Sequence, residues 1–223
     1  MSNTKEIAKR IASLCKGVYV RNYTRSKLLS DPLYGGVFEE LKGREMPLLD
    51  VGCGMGILGL YLRERGCEMP IHGFDYDGRK IEDGKFMVEK GGYEGITLSQ
   101  GDARSELPGQ EGDVSILDIL QFFEEDEQRV LLGEAAKRVA PGGKLVIRSG
   151  LQEKNLRFFV TWLGDLFARA CFWMKAAPVH YPTSEFMRTV LEKEGFEVEV
   201  RPFWGKTPFN NYLIVGIRGH LIK

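Results

Sequence analysis

Hydrophobic residues along the chain form short continuous runs separated by segments with helical spacing. From Met46 onwards five strand-length apolar runs alternate with helix-length segments, and these runs are "MPLLDV", "MPIHGFD", "GITLSQGDA", "GDVSILDIL" and "GKLVIRS". Strands that are buried on both faces are apolar throughout, and the helices between them supply the crossovers of a parallel sheet. The pattern therefore predicts a doubly wound α/β fold.

The last part of the chain breaks this alternation. A capped helix is predicted over 182–196, and two β-rich runs follow over 197–205 and 210–218. The loop between these runs is too short for a crossover, so it can only join antiparallel strands. We predict a Rossmann-like sheet of seven strands, in which five parallel strands are completed by a C-terminal antiparallel hairpin.

Two segments lie outside the alternation of strands and helices. Residues 1–44 form an N-terminal helical addition, with helices predicted over 4–16 and 23–42, and residues 151–181 form a helical segment that we call the insert. A chain of 223 residues, 43% of them hydrophobic, suits one sizeable domain. We therefore predict a single main domain over 45–223 that contains the insert.

Charge and cysteine content narrow the class of protein. The formal net charge is zero and the pI is about 6.8, which argues against a nucleic-acid partner. Residues 1–44 carry nine Lys and Arg against four Asp and Glu, which is compatible with an anionic partner or with a solvated helix face. The four cysteines are far apart, so we expect reduced thiols and no metal site. Without a leader or a long apolar run, we expect a soluble, cytoplasmic protein.

Three glycines follow the first predicted strand at alternate positions in "LLDVGCGMG". Gly52, Gly54 and Gly56 allow backbone amides to approach a ligand closely, and the helix from Ile57 directs its positive N-terminal end to the same place. Asp50 adds a carboxylate beside this turn. A cationic amine suits such a site better than a pyrophosphate does.

Other interpretations of the glycines remain open. Gly54, Gly56 and Gly59 match the GxGxxG dinucleotide motif, although that register starts two residues late and leaves Gly52 unexplained. A tight turn without any ligand is a further alternative. Asp75 favours a nucleoside, because it ends the second strand at the spacing of the acid that binds a ribose diol.

Two more aspartates follow strand ends. We predict that Asp77 caps the next helix. Asp102, in "QGDA" after the third strand, is either an acceptor for an adenine amino group or the N-cap of the residues that follow.

These motifs together resemble the class I S-adenosylmethionine-dependent methyltransferases. The resemblance covers 46–218 and rests on "LLDVGCGMG", "GFDYD", "GDA", "DVSILDILQFF", "APGGKLVIRSG" and the "GFEVEV…NNYLIVGIR" hairpin. It implies S-adenosylmethionine as the cofactor. The implied contacts are to the methionine part from Asp50, Gly52, Cys53, Gly54 and Gly56, to ribose and adenine from Asp75 and Tyr76, to adenine from Asp102 and Ala103, and near the sulfonium from Asp118, Ile119 and Leu120.

The chain departs from the family pattern after the fourth strand. Many relatives have a histidine where this sequence has "LQFF" at 120–123, and Gln121 cannot serve as a base. The Asn-Pro-Pro-aromatic tetrapeptide of enzymes that methylate DNA and protein nitrogens is missing, which again disfavours nucleic acid. The final hairpin is similar to that of methyltransferases found beside bacterial aromatic-polyene and fatty-acid-like pathways.

The insert is rich in large apolar residues at helical spacing. It has three interpretations: a helix packed on the sheet, a lid over an apolar acceptor with Arg157, Arg169 and Lys175 toward solvent or an anionic carrier, and a membrane-surface helix, which we do not expect. The residues concerned are Phe158, Phe159, Trp162, Leu163, Leu166, Phe167, Phe172, Trp173 and Met174.

One histidine is a candidate for acid–base chemistry. His180 lies between the insert and the final helix, where it could face an acceptor, and the alternative is an exposed loop histidine. His72 is expected in the core and His220 in the tail.

The sequence therefore predicts a methyltransferase that uses S-adenosylmethionine on a small apolar or aromatic acceptor. That acceptor is free, lipid-like or tethered to an acidic carrier protein. Two other functions remain open, which are a non-catalytic S-adenosylmethionine-binding regulatory protein and an NAD-dependent oxidoreductase.

Overall fold

A computed structural model describes residues 4–170 and 178–219, without the side chains of residues 164–170. The helices in these residues are α1 Thr4–Leu14, α2 Val18–Ser30, α3 Leu33–Leu41, α4 Ile57–Glu64, α5 Gly78–Gly91, α6 Glu125–Arg138, α7 Leu156–Ala170 and α8 Ser184–Lys193. The strands are β1 Leu48–Val51, β2 Ile71–Asp75, β3 Ile96–Gln100, β4 Asp113–Leu117, β5 Lys144–Gly150, β6 Phe196–Pro202 and β7 Asn211–Arg218.

The strands form a seven-stranded sheet of order β3-β2-β1-β4-β5-β7-β6. Strand β2 is parallel to both β1 and β3, and β4 is parallel to β5. Strand β7 is antiparallel to β5 and to β6, with Ile147 opposite Ile214 and Val200 opposite the same residue. The predicted fold class, five parallel strands and a C-terminal antiparallel hairpin, is confirmed.

The chain divides into two compact units, residues 1–110 and 111–223. In the first unit all four residues of β1 are buried. Helix α1 contacts α2, α4 and α5, and its apolar stripe, which includes Ile7 and Ile11, is fully buried. Helix α5 begins at the N-cap Asp77 and ends where Gly92 adopts a left-handed conformation with φ of 66°.

The second unit is organised around β5, which is buried at six of its seven positions. Helix α6 contacts α8 and begins with a capping box in which Glu127 accepts a hydrogen bond from the Glu124 amide at 2.9 Å. The Thr183 hydroxyl caps α8 by accepting from the Phe186 amide at 3.1 Å. The cap at Thr183 agrees with the capped helix predicted over 182–196, although the helix itself spans only Ser184–Lys193.

The helical segment predicted over 23–42 is interrupted in the structure, where α2 ends at Ser30 and α3 begins at Leu33. Proline disfavours the helical conformation in the residue before it, and Asp31, which precedes Pro32, is extended with φ of −91° and ψ of 123°. The Asp31 carboxylate then accepts from the Leu33 amide at 3.0 Å. The break therefore comes from Pro32, and the chain restarts as a helix directly after it.

No helix within the described ranges is long and apolar enough to cross a membrane.

Gly84 tests the packing of α5 against the loop that follows β1. A Cβ at Gly84 would lie 2.6 Å from a Leu98 methyl group and 2.7 Å from the backbone oxygen of Met55, which cannot move as a flexible side chain can. We expect Gly84→Ala to lower the free energy of unfolding by about 1–3 kcal/mol, measured by urea denaturation.

Gly133→Ala is the matched control, because a Cβ at this position in α6 would lie 3.9 Å from its nearest neighbour, Glu194. Alanine is the better helix former, so this change should raise the free energy of unfolding by about 0.5–1 kcal/mol. Equal effects of the two substitutions would contradict the close approach of α5 to the loop.

Candidate functional site

The glycine loop, residues 52–56, turns back on itself at the end of β1. Gly52, Gly54 and Gly56 have φ of 73°, 58° and 69°, a left-handed conformation that favours glycine. The amides of Gly52 and Cys53 both donate to the backbone oxygen of Phe74, at 2.9 and 3.0 Å. The loop is thus tied to β2 before the chain enters α4.

Asp75, at the end of β2, forms a further hydrogen bond to the glycine loop. One carboxylate oxygen accepts from the Gly54 amide at 2.9 Å, and the other accepts from the Asp77 amide at 2.8 Å. Each oxygen can accept a second hydrogen bond. Asp75, predicted from the sequence only as a ligand of ribose, therefore also holds the glycine loop, and it retains acceptor capacity for two hydroxyl groups.

Two buried carboxylates give the loop a negative environment. Asp50 and Asp75 are both buried. Burial raises the pKa of the Cys53 thiol well above its usual value, and the charges of the two aspartates raise it further. Cys53 is therefore a neutral thiol at neutral pH, and the same two charges favour a cationic group in a bound ligand.

Space and an aromatic surface lie beside this loop. A Cβ at Gly54 would meet no atom within 4 Å, so the position opens onto free space. The side chain of Tyr76 is 47% exposed although Asp75 before it is buried. Burial raises the pKa of the Tyr76 phenol, as do the charges of Asp75 and Asp77, so the ring is neutral and suited to stacking.

The third predicted strand ends earlier than expected. Strand β3 ends at Gln100, and Asp102 is exposed, with its carboxylate accepting from the Arg104 amide at 2.9 Å. A turn that contains Ala103 follows, so the predicted helix N-cap at Asp102 is wrong. The predicted cap at Asp77 is confirmed, since its carboxylate accepts from the Arg79 amide.

A cavity of about 290 Å³ lies at the end of β3. It is lined by Phe74, Ser99, Gln100, Gly101, Glu106, Leu107, Pro108 and Gly109.

In the second unit Asp118 follows β4 in an unusual conformation. Its φ is 60°, which non-glycine residues rarely adopt. The buried guanidinium of Arg148 donates from Nε to one Asp118 carboxylate oxygen at 2.7 Å and from Nη2 to the other. Sequence analysis missed this pair, although an arginine inside the apolar run of β5 signals a carboxylate partner. Ile119 and Leu120 follow, and Leu120 begins a short 3-10 helix, Leu120–Phe122.

His180 lies against the residues that follow β4. The Gln128 side chain donates to the His180 backbone oxygen at 2.9 Å, and the His180 amide donates to the Gln121 backbone oxygen at 3.4 Å. The His180 ring is partly exposed, with Nε2 3.7 Å from a Glu125 carboxylate oxygen. The Gln121 side-chain oxygen is buried and has no hydrogen-bond partner in the described part of the chain. The structure thus brings the candidate base next to Gln121.

The insert does not pack entirely into the core. In the described part of the insert the exposed large residues are Leu156, Phe159, Trp162, Leu163 and Val179, whereas Phe158 stacks edge-on against the Tyr181 ring at 5.1 Å. The expectation that Arg157 points toward solvent or a carrier is wrong, because its guanidinium donates to the Thr207 backbone oxygen at 2.8 Å and lies 4.4 Å from the Trp204 ring centre.

Several residues named from the sequence lie outside the described part. They are Cys171, Phe172, Trp173, Met174, Lys175 and His220, together with the side chains of Leu166, Phe167 and Arg169. His72 is only partly buried, and its ring lies 2.8 Å from the Ser99 hydroxyl.

Comparison with known proteins agrees with the motifs. Residues 42–194 match a family model described as a methyltransferase domain. Ribosomal protein L11 methyltransferase of Paraburkholderia phytofirmans is 28% identical over 103 residues, which are 46% of this chain and 31% of that protein, so the chain matches only about a third of that relative. Demethylmenaquinone methyltransferase of Bacillus pumilus is 24% identical over 173 residues, 70% of this chain and 74% of that protein.

Solved structures share the fold. An O-methyltransferase family protein from Burkholderia thailandensis superposes with a TM-score of 0.71 at 18% identity, over 92% of this chain and 61% of that one. Magnesium protoporphyrin IX methyltransferase from Synechocystis PCC 6803, solved with bound SAH, has a TM-score of 0.66 at 16% identity, over 96% of this chain and 94% of that one. With the family match covering most of the sequence, this chain belongs to the methyltransferase-domain family, of the class I, S-adenosylmethionine-dependent type.

Proposed function

We propose that the protein transfers a methyl group from S-adenosylmethionine to a small acceptor with an apolar or aromatic body. The observation that carries the proposal is the glycine loop held by Asp75, with Asp50 buried beside it. Left-handed glycines, an open face at Gly54 and two buried carboxylates together suit a ligand that combines a nucleoside with a cation.

The residues around the loop fit the parts of this cofactor. The free acceptor capacity of Asp75 suits the ribose hydroxyls, and the exposed ring of Tyr76 suits stacking on adenine. Asp50 and the loop amides suit the amino acid portion, whose ammonium needs a negative partner. When bound, S-adenosylmethionine supplies an electrophilic methyl group on a positively charged sulfur. A pyrophosphate beside the same carboxylates would be repelled, which disfavours NAD.

Chain residues after β4 can provide the remaining chemistry. Alignment and exclusion of water are sufficient when the acceptor is already ionised, and a base is needed only when the acceptor carries a proton. His180 is our candidate base. A carboxylate oxygen of Glu125 lies 3.7 Å from the ring nitrogen Nε2 of His180. The His180 backbone is held by the bond that its amide donates to the Gln121 backbone oxygen and by the bond that it accepts from the Gln128 side chain.

Partner and location follow as further parts of the proposal. The excess of basic residues in 1–44 supports an acceptor that is presented by an acidic carrier protein. The zero net charge of the chain argues against a nucleic-acid partner. Cytoplasmic location stays a prediction from the sequence. A non-catalytic regulatory protein would bind the same cofactor without turnover, so incubation with labelled cofactor and a metabolite extract separates the two functions.

Calorimetric titration tests the cofactor. We expect S-adenosylmethionine and its demethylated product to bind and NADH to give no heat. Asp75→Asn should weaken binding by about 1–3 kcal/mol, because a charged acceptor for the ribose is lost. Asp126→Asn removes the same charge from an exposed position in α6 and should leave binding unchanged.

Asp75 also holds the loop, so the unfolding midpoint of Asp75→Asn is measured in parallel. A variant that unfolds more easily yet binds the cofactor as tightly as the parent would limit Asp75 to its structural role. Tighter binding of NADH than of S-adenosylmethionine would overturn the proposed function.

His180→Ala tests the base. If His180 removes a proton from the acceptor, turnover should fall about 100- to 10,000-fold with little change in cofactor affinity. The assay is methyl transfer to whichever acceptor the extract experiment identifies. A loss smaller than tenfold would remove His180 from the mechanism and leave alignment as the source of catalysis.

A further inference from the structure

Asp118 is the one non-glycine residue in the described part of the chain that has a positive φ. It follows β4 directly, and its φ is 60°. In this conformation the Cβ of an L-residue lies too close to the following carbonyl oxygen. Such conformations persist only where surrounding contacts impose them, and they cluster at functional sites.

Arg148 and Gln121 supply the contacts that impose this conformation. The Arg148 guanidinium donates from Nε to one Asp118 carboxylate oxygen at 2.7 Å and from Nη2 to the other. The Asp118 amide donates to the Arg148 backbone oxygen at 2.9 Å, and Nε2 of Gln121 donates to the Asp118 backbone oxygen at 3.1 Å. The carboxylate and both backbone polar groups of Asp118 are thus held at the same time.

Stability alone does not explain an ion pair at this position. The side chains of Arg148 and Asp118 are only 5% and 26% exposed. Taking two charges out of water costs about as much as their attraction returns, so well-packed apolar residues often give equal or greater stability. Glycine would adopt the left-handed φ without strain, but it would leave the turn free to take other conformations. The pair provides what neither alternative provides, which is a left-handed turn in a single conformation.

The turn lies where sheets of this kind bind ligands. Leu117, the last residue of β4, is opposite Arg148 in the parallel strand β5, so Asp118 leaves the sheet at its carboxyl edge. Ligands of open parallel sheets bind outside the carboxyl ends of the strands. Ile119 and Leu120 follow Asp118, and Leu120 begins the short 3-10 helix. The φ of Asp118 therefore determines the direction in which these residues leave that edge.

We propose that Arg148 is a positioning residue, which holds Asp118 in its left-handed conformation so that the turn over 118–120 is preformed for S-adenosylmethionine. The proposal deepens the proposed function and rests on it, since the cofactor is the ligand that the turn meets. A preformed turn strengthens binding because apparent affinity is proportional to the fraction of the free protein in the competent conformation. The competing role is direct contact of the two charged groups with the cofactor.

Two double variants separate the backbone conformation from the charges. Arg148→Met/Asp118→Gly and Arg148→Met/Asp118→Ala both remove the ion pair, so neither leaves a buried charge without its partner. The variants differ by one methyl group. Glycine takes a positive φ about as readily as a negative one, whereas the Cβ of alanine disfavours it. A difference in cofactor binding between the two variants therefore reports the conformation at residue 118.

Calorimetric titration of the full chain with S-adenosylmethionine measures this difference. We expect the glycine variant to bind within about threefold of the parent protein, because about half of its molecules have the left-handed turn. The alanine variant should bind about tenfold more weakly than the glycine variant, the scale set by the cost of the left-handed conformation for an L-residue. Titrations are made at a temperature well below the unfolding midpoint of each variant.

Arg218→Met is the control for the loss of an arginine from the same unit. The Arg218 guanidinium donates to the backbone oxygens of Ala136 and Val139, both at 2.7 Å. Arg218 lies near the start of β5, where Lys144 is opposite Ile217, and Arg148 lies toward the other end of that strand. This variant should unfold at a lower urea concentration yet bind the cofactor as the parent does, because its turn over 118–120 is unchanged.

Equal cofactor affinity of the two double variants would overturn the proposal. If both bind like the parent, the conformation of residue 118 has no part in binding, and if both bind at least tenfold more weakly, the charges themselves contact the cofactor. A parent protein that does not bind S-adenosylmethionine would refute the proposed function, and the positioning role with it. Binding by the parent together with equal double variants would refute the positioning role alone.

Discussion

The carboxylate of Asp75 is the group on which the glycine loop depends. A loop with three left-handed glycines exposes backbone amides that must find acceptors, and Asp75 accepts from Gly54 and from Asp77 while the Phe74 oxygen accepts from the start of the loop. The same carboxylate therefore sets the shape of the loop and, in the proposed function, binds the ribose of the cofactor. For this reason the Asp75→Asn experiment measures stability and cofactor binding together.

In the second unit, buried polar side chains hold the residues that follow β4 in place. Arg148 pairs with Asp118 in its left-handed conformation, and the Gln128 amide bridges the backbone oxygens of Leu120, Phe123 and His180. Buried donors and acceptors are costly when unpaired, so each of these bonds restricts where the chain can lie. These polar contacts therefore hold the loop that carries the candidate base.

Helix α7 differs from the other helices in that several of its large apolar side chains are exposed to solvent. Exposed Leu156, Phe159 and Trp162 contribute little to folding. At the start of the helix the Asn155 side chain accepts from the Phe158 amide at 2.7 Å, and Glu153 accepts from the Tyr212 hydroxyl at 2.7 Å. The start of α7 thus combines exposed apolar side chains with a hydrogen-bonded polar edge.

The sequence by itself determined the five strand-length apolar runs, the antiparallel hairpin, the cap at Asp77 and the family, because these depend on local periodicity and on short motifs. The order of the strands in the sheet came from the structure. Only the tertiary structure decided that Arg148 pairs with Asp118 and that Arg157 stacks on Trp204, since such partners are brought together by strand register and loop path. It also decided which face of α7 is exposed. Large apolar residues at helical spacing are the same in a core helix and in a ligand groove, and only their neighbours in space distinguish the two.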